Sequence, residues 1–415
     1  MKQMRVYIFG TGKGKDYVLR CLRDDAKVIA YIDNYCKDIS NINNVPIVNQ
    51  KEIRYGYDYI IVSLMIFDDV LSDLINEGVE NDRIIPFFSM EAANVPNYWE
   101  VIDQFKWRTE LLWKKFNECI LPLTNNINYE LYSDEMMKNG LAPQILSAEK
   151  AIEKIVDERC SMVRFGDNEF EQIRGNERVN YQDIDARLAT RLEEVLNCDD
   201  KRLIVAIADN YGSLFKYTDE AANDIRSYLT SAVRNDHMNI LDLNREYYDA
   251  YISRPYLIYR DKESAGRRFE KIKRIWNNED VLVVEGSHTR FGVGNDLLCN
   301  ARNVHRILCP DKNAFLIYEK IYEKALKYGK NRLVLIILGP TATIMAYDLA
   351  MNDYWAVDIG QLDTEYEWYL RGAQRRCLIP NKTVSEINRY DDIVTDENDM
   401  SIKKYYSEVI EEISL

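Results

Sequence analysis

"RVYIFGTGKGKDYVLRCLRDDAKVIAYIDN", residues 5–34, decides the fold class. "RVYIFG" reads as a strand, "KDYVLRCLRD" as a helix and "KVIAYIDN" as a second strand. Strands joined through a helix pair in parallel, since an antiparallel hairpin needs only a tight turn. Working outward, "YDYIIVSL" is a strand, "FDDVLSDLINEG" a helix and "RIIPF" a closing strand. Residues 1–90 are therefore expected to form a Rossmann-like parallel-sheet domain.

"GTGKGKD" follows the first strand, where a nucleotide-binding loop would sit. Gly10, Gly12 and Gly14 do not complete G-x-G-x-x-G, because the third glycine is due at Lys15. Asp33, closing the second strand, stands where a ribose hydroxyl would be met. Gly10, Gly12, Gly14 and Asp33 thus form a candidate nucleotide site, and strand-to-helix packing is the plainer use of the glycines.

Residues 91–145 read as a helical linker. Tyr98, Ile102, Phe105, Leu112 and Phe116 fall at helical spacing, as on a connecting helix docked against a neighbouring domain. A homodimer seam is the other use of such a stripe. "LPLTNNINYELYSDEMMKNGLAP" follows as a loop-rich stretch. From about residue 146 to 390 the alternation returns, with "CSMVRFG", "KRLIVAIAD", "EDVLVVEG", "VHRILCP" and "RLVLIILGP" as strands between helices. Near-continuous aliphatic runs such as "VLVVE" and "LVLIIL" mark strands covered on both faces. Residues 391–415 are expected to be an acidic tail ending in one amphipathic helix.

The chain has 68 acidic against 54 basic residues, a net charge of −14. That balance excludes a general nucleic-acid binder, which would carry a basic face. No apolar run reaches the length of a membrane span and the N-terminus lacks signal-peptide anatomy, so a cytoplasmic protein is expected. Eight cysteines are scattered without a C-x-x-C pair, which excludes a zinc ribbon or a disulfide framework.

In open parallel sheets ligands bind beyond the carboxyl ends of the strands. One such end in the second domain carries Arg164, Gly166, Asp167 and Glu169. Asp167 and Glu169 stand at i and i+2, and on an extended chain they would point to the same side. They could then share a divalent cation, or divide a cation and a sugar hydroxyl. With 68 acids in the chain, acid-x-acid recurs about eleven times by chance, so only this setting gives the pair weight. An N-cap and a first-turn acid are the plain structural alternative. A second end offers Arg290, Gly292, Gly294, Asn295 and Asp296, and a third offers Gly339, Thr341 and Thr343. Both read as glycine turns entering helix N-termini, where free amides and the helix dipole favour a diphosphate. Neither is a Walker loop, so ATP hydrolysis is not indicated.

"VRFGDNEFEQI", "VVEGSHTRFGVGNDLLCNAR", "RILCPDKNAF", "IILGPTATIMAYDLA" and "DIGQLDTEYEWYLRGA" together resemble the GT-D-type glycosyltransferases, a bacterial family with an Asp-x-Glu motif. The resemblance spans about residues 140–390. It implies a second domain of GT-D type and metal-assisted transfer of a hexose from a UDP-sugar. The implied acceptor is a glycan or glycosylated protein of the bacterial surface, such as an adhesin. It also implies that Asp167 and Glu169 serve Mn2+ or Mg2+ and the donor. The middle residue of the motif is Asn168, where the family often has glycine, which tightens the pocket or alters the preferred sugar. The first 90 residues are similar to the Rossmann-like half-domain attached to several sugar-modifying enzymes.

The implied mechanism needs a base for the acceptor hydroxyl if configuration inverts, and Asp363 or Glu365 in "DIGQLDTEYEW" is the expected choice. Two other functions compete: a nucleotide-responsive binding protein without chemistry, and an NAD-dependent oxidoreductase built on the N-terminal glycine turn. The broken third glycine and the lack of an evident catalytic His or Tyr-Lys pair count against the oxidoreductase.

Overall fold

The computed structural model describes residues 3–34, 41–54, 56–64, 67–89, 94–95, 97–176, 182–384 and 400–414. Cys36 and the acidic stretch 385–399, with the first part of the expected tail, lie outside them. The chain divides into two compact units, Met1–Leu123 and Thr124–Leu415.

The first unit holds strands β1 (Met4–Phe9), β2 (Ala26–Ile32), β3 (Asn41–Ile42), β4 (Val45–Val48), β5 (Tyr59–Val62) and β6 (Ile84–Pro86). They form one sheet in the order β3-β4-β2-β1-β5-β6, parallel except for β3 against β4. Val6 and Ile8 enter one apolar core while Tyr7 and Phe9 enter the other, so both faces of β1 are covered. The helix Lys13–Cys21 follows β1 as expected. A Cβ on Gly14 would lie 2.0 Å from the Ser63 carbonyl oxygen, so this glycine lets the helix pass close to the residue after β5. Asp33 is engaged by the Thr11 hydroxyl across the same turn.

The stripe read at 98–116 is split between two helices. Tyr98–Val101 ends where Ile102 pairs with Leu22. Asp103 then caps Gln104–Lys115 by accepting from the N–H groups of Phe105 and Lys106. Tyr98 and Ile102 are buried, whereas Phe105 is 80% and Leu112 68% exposed, so they do not share a face.

The second unit is built on a nine-stranded, all-parallel sheet. Its strands are β7 (Gln144–Leu146), β8 (Ser161–Phe165), β9 (Leu203–Ile207), β10 (Glu246–Asp249), β11 (Asp280–Gly286), β12 (Asn303–Cys309), β13 (Leu333–Ile337), β14 (Trp355–Asp358) and β15 (Val409–Glu412). The order is β15-β12-β11-β13-β14-β8-β9-β10-β7. Val281 and Val283 face one core and Leu282 and Val284 the other, which explains the unbroken aliphatic runs.

Two departures from the sequence reading concern its ends. Residues 121–143, expected as loop, contain the 18-residue helix Leu121–Lys138. Its Asn-rich composition favours no helix, but Tyr129, Ser133 and Met136 recur on one buried face. The buried Arg234 guanidinium donates to the Asn128 and Tyr129 carbonyls and to the Ser133 hydroxyl, which fixes that face. The tail does not end on its helix, Met400–Glu408, but continues into β15 on the edge of the sheet beside β12. No helix among the described residues is long and apolar enough to cross a membrane.

Candidate functional site

A cleft of about 1300 Å³ opens at the carboxyl edge of the nine-stranded sheet. The segments that follow β8, β9, β10, β11, β12, β13 and β14 all reach its wall. β8 delivers Arg164, Gly166, Asp167, Asn168 and Glu169; β13 delivers Gly339; the segment after β14 delivers Gly360, Gln361 and Asp363.

Asp167 and Glu169 occupy the first turn of the helix Asp167–Arg174, not an extended chain. Residues two apart on a helix diverge by about 200°, so the shared-face argument for the pair does not hold. Glu169 instead folds back, and its Oε2 accepts from the Gly166 N–H at 2.7 Å. That contact satisfies an amide the helix leaves open and keeps the carboxylate on the cleft wall. Burial pushes the Glu169 carboxyl up to about 7, and nearby Asp358 adds to this against the pull of the Gly166 amide and Arg164. Asp167 is exposed at the same end.

Arg164 is the hinge of this wall. Its guanidinium reaches Asp358 at 2.8 Å and the Ser253 hydroxyl at 2.7 Å, and its Nε donates to the Asp358 carbonyl at 3.1 Å. Asp358 is 2% exposed, and burial raises its carboxyl above the ordinary range despite Arg164. Gly360, at φ +52°, lies under the guanidinium: a Cβ there would fall 2.0 Å from an Arg164 nitrogen.

Several expected donor contacts turn out to build the structure instead. The turn with Gly292, Gly294, Asn295 and Asp296 does not enter a helix but runs through further turns to β12. The chain is bent back here because buried Glu285 accepts from the Phe291 N–H at 2.7 Å. Asn295 then bonds to Asp363 and Glu367, and Asp296 accepts from Tyr366 at 2.7 Å and pairs with Lys273. Arg290 is buried and donates to the Asn381 carbonyl. Thr341 and Thr343 are fully buried, and Thr343 ties the helix Pro340–Met351 to the Arg164 carbonyl. None of these seven residues borders the cleft.

The two expected bases part company. Glu365 is fully buried, with Oε2 accepting from the Tyr256 and Leu257 N–H groups, so it holds backbone and does not reach the cleft. Asp363 borders the cleft, but its oxygens are engaged by Lys382 at 2.6 Å and Asn295 at 2.8 Å. Both acids lie on the helix Leu362–Leu370.

Other wall residues carry weak sequence signals. His237 is buried, stacked on Phe170 with ring centres 4.0 Å apart, and bonded to the Tyr211 hydroxyl at 2.7 Å. It backs the residue after Glu169, although alone in sequence it reads as structural. Burial lowers its ring to about 4 from an ordinary 6.5, and Arg174 adds to the effect. Between pH 6.5 and 4 the unfolded chain takes a proton that the folded one refuses, so stability falls as the solution is acidified through that window. His237→Gln should remove about 1.4 kcal/mol per pH unit of that slope, read from urea unfolding at pH 6 and pH 5. Asp311, after β12, accepts from the His288 ring at 2.7 Å, the His288 N–H at 2.8 Å and the Ser287 hydroxyl at 2.8 Å. Burial alone would raise this carboxyl, but the bonds from His288 and Ser287 outweigh it and hold it below its ordinary value. Lys312 stands beside it on the wall.

Comparison with known proteins adds a family. Residues 162–387, more than half of the chain, match the family model described as glycosyltransferase GT-D fold. Residues 2–85 match the model described as C2185-like, N-terminal. The probable glycosyl transferase Gly of Streptococcus gordonii is 35% identical over 275 residues, 64% of this chain. Glycosyltransferase GlyD of Streptococcus pneumoniae serotype 4 is 33% identical over 273 residues, again 64% of this chain. The chain spans well under half the length of these two relatives, 40% and 32% respectively. A solved structure of the domain of unknown function 1792, described as having a distinct glycosyltransferase fold, is 34% identical at TM-score 0.63. It covers 68% of this chain and 99% of that one. Another, described as a new glycosyltransferase from Streptococcus sanguinis, is 34% identical at TM-score 0.61. It covers 66% of this chain and 100% of that one.

Proposed function

We propose, on the premise that the chain belongs to the glycosyltransferases of the GT-D fold, that it moves a hexose from a UDP-sugar to a glycan or glycosylated protein of the bacterial surface. The observation that carries this reading is the cleft itself, where Arg164, Asp167, Glu169, Lys312 and Gly339 converge from three strand ends. The helices Asp167–Arg174 and Pro340–Met351 both turn their N-termini toward it, and such ends favour a diphosphate.

Asp167 and Glu169 offer oxygen donors only, the chemistry that hard divalent cations prefer. Both border the cleft, so a magnesium or manganese ion completed by phosphate oxygens would join them across the helix turn rather than sit on one shared face. Asp167 and Glu169 would hold Mn2+ or Mg2+, which when bound supplies positive charge against the negative charge developing on the leaving diphosphate. Gly166, through its bond to Glu169, fixes one of the two carboxylates. Arg164, anchored by Asp358, keeps the wall from relaxing when the donor enters.

The test is thermal shift on the whole chain. UDP with Mn2+ at a hundred times its Kd should add about 2.7 kcal/mol to stability, and NADH should add nothing. Asp33→Ala, in the N-terminal glycine turn, should leave the UDP shift unchanged. Stabilisation by NADH that Asp33→Ala removes would return the oxidoreductase reading to favour. Starting the chain near residue 140 would be a poor substitute, because it removes Tyr129, which is buried and donates to the Asn210 and Gly212 carbonyls.

A further inference from the structure

We infer that the helix Met400–Glu408, which lies beyond the stretch matched to the family, is a positioning element for the cleft wall. Glu408, on its last turn, accepts from the Nε of buried Arg306 at 2.8 Å. The same guanidinium donates to Glu285 at 2.6 Å and to the Phe291 carbonyl at 2.9 Å. Glu285 in turn accepts from the Phe291 N–H, so one arginine and two acids fix both ends of the turn 286–291. Tyr405 reaches the same turn separately, its ring 5.0 Å from the Arg306 guanidinium and its hydroxyl donating to the Ser287 carbonyl at 3.2 Å. Ser287 passes the contact on to Asp311, and Gly286, Thr289, Phe291 and Asp311 border the cleft.

None of these contacts involves Asp167 or Glu169, so the helix acts through the turn. Glu285 and Arg306 are both shielded from water, and a charge placed there is tolerated only in one geometry. With Glu408 in place the guanidinium has an acid on two sides and a carbonyl on a third. Without it, one face of the guanidinium loses its partner and the Phe291 contact is free to shift.

The inference rests on the reading of the cleft as a donor site, and its test separates the two. In the whole chain, Glu408→Ala should speed amide exchange of residues 286–291 by about tenfold, since local opening is then easier. Glu408→Gln, whose amide oxygen still accepts from Arg306, should restore the wild-type rate. This readout needs no ligand. Glu408→Ala should also weaken UDP binding, measured by calorimetry with Mn2+, and raise the KM of a nucleotide sugar by about tenfold with kcat within about twofold. Tyr405→Phe, which removes one hydroxyl and keeps the ring, should show the same split at about threefold and serves if Glu408→Ala does not fold. Unchanged exchange at 286–291 together with unchanged UDP affinity in a folded variant overturns the positioning role. A wild-type chain that binds no UDP overturns the donor reading while leaving the exchange result to decide this one.

Discussion

Asp167→Ala and Glu169→Ala are each expected to lower sugar transfer by on the order of a thousandfold while the protein stays folded. The size follows from removing one preorganised charge from a site where charge develops on the leaving group. The two differ in what else they cost. Asp167 is exposed, so its loss should leave the unfolding free energy nearly unchanged. Glu169→Ala also uncaps the Gly166 N–H and should cost about 1 kcal/mol. Glu169→Gln separates the two roles: its amide oxygen still accepts from Gly166, so stability should recover and transfer should not. Transfer rates at saturating donor, beside urea unfolding curves, check all three. Near-wild-type transfer by Asp167→Ala and Glu169→Gln would sink the assignment of these acids.

The second large effect is expected at Arg164. Arg164→Met leaves the Asp358 carboxylate buried without its counter-charge, and breaking such a pair costs about 3–5 kcal/mol. Arg164 is itself partly exposed, so the lower end of that range is expected. The loss should depend on pH. Burial already raises the Asp358 carboxyl, and removing Arg164 raises it further. A raised acid favours the folded state below its unfolded value and loses that advantage as pH rises, so the variant should regain stability on acidification toward pH 4. A variant equally destabilised at pH 4 and pH 7 would show that Asp358 is not the group left stranded.

The parallel sheets were legible because period and burial agree. Val281–Val284 faces two cores in alternation, as a strand covered on both sides does. The carboxyl edge as the place of a cleft was legible from the same topology, which is why Arg164, Gly166, Asp167, Glu169, Gly339 and Asp363 all border it. What failed were inferences from one residue type to one geometry. Gly292 and Gly294 suggested a helix N-terminus, but the Glu285–Phe291 bond, set by tertiary burial, turns the chain elsewhere. Asp363 and Glu365 suggested freely facing acids, yet their partners Lys382, Tyr256 and Leu257 come from distant segments that no local window contains. β15 was missed because "VIEE" is short and half acidic, and only pairing with β12 makes it a strand.

The close packing of Arg164 over Gly360 has an evolutionary corollary. Alanine at 360 cannot coexist with arginine at 164, since the added carbon would overlap the guanidinium, and the backbone at φ +52° would be strained as well. The two positions should therefore behave as one heritable unit. In a library randomised at 164, 358 and 360, selection for transfer should return Arg164 only in company with Gly360. Survivors with a larger residue at 360 should carry a shorter one at 164, together with a neutral residue in place of Asp358.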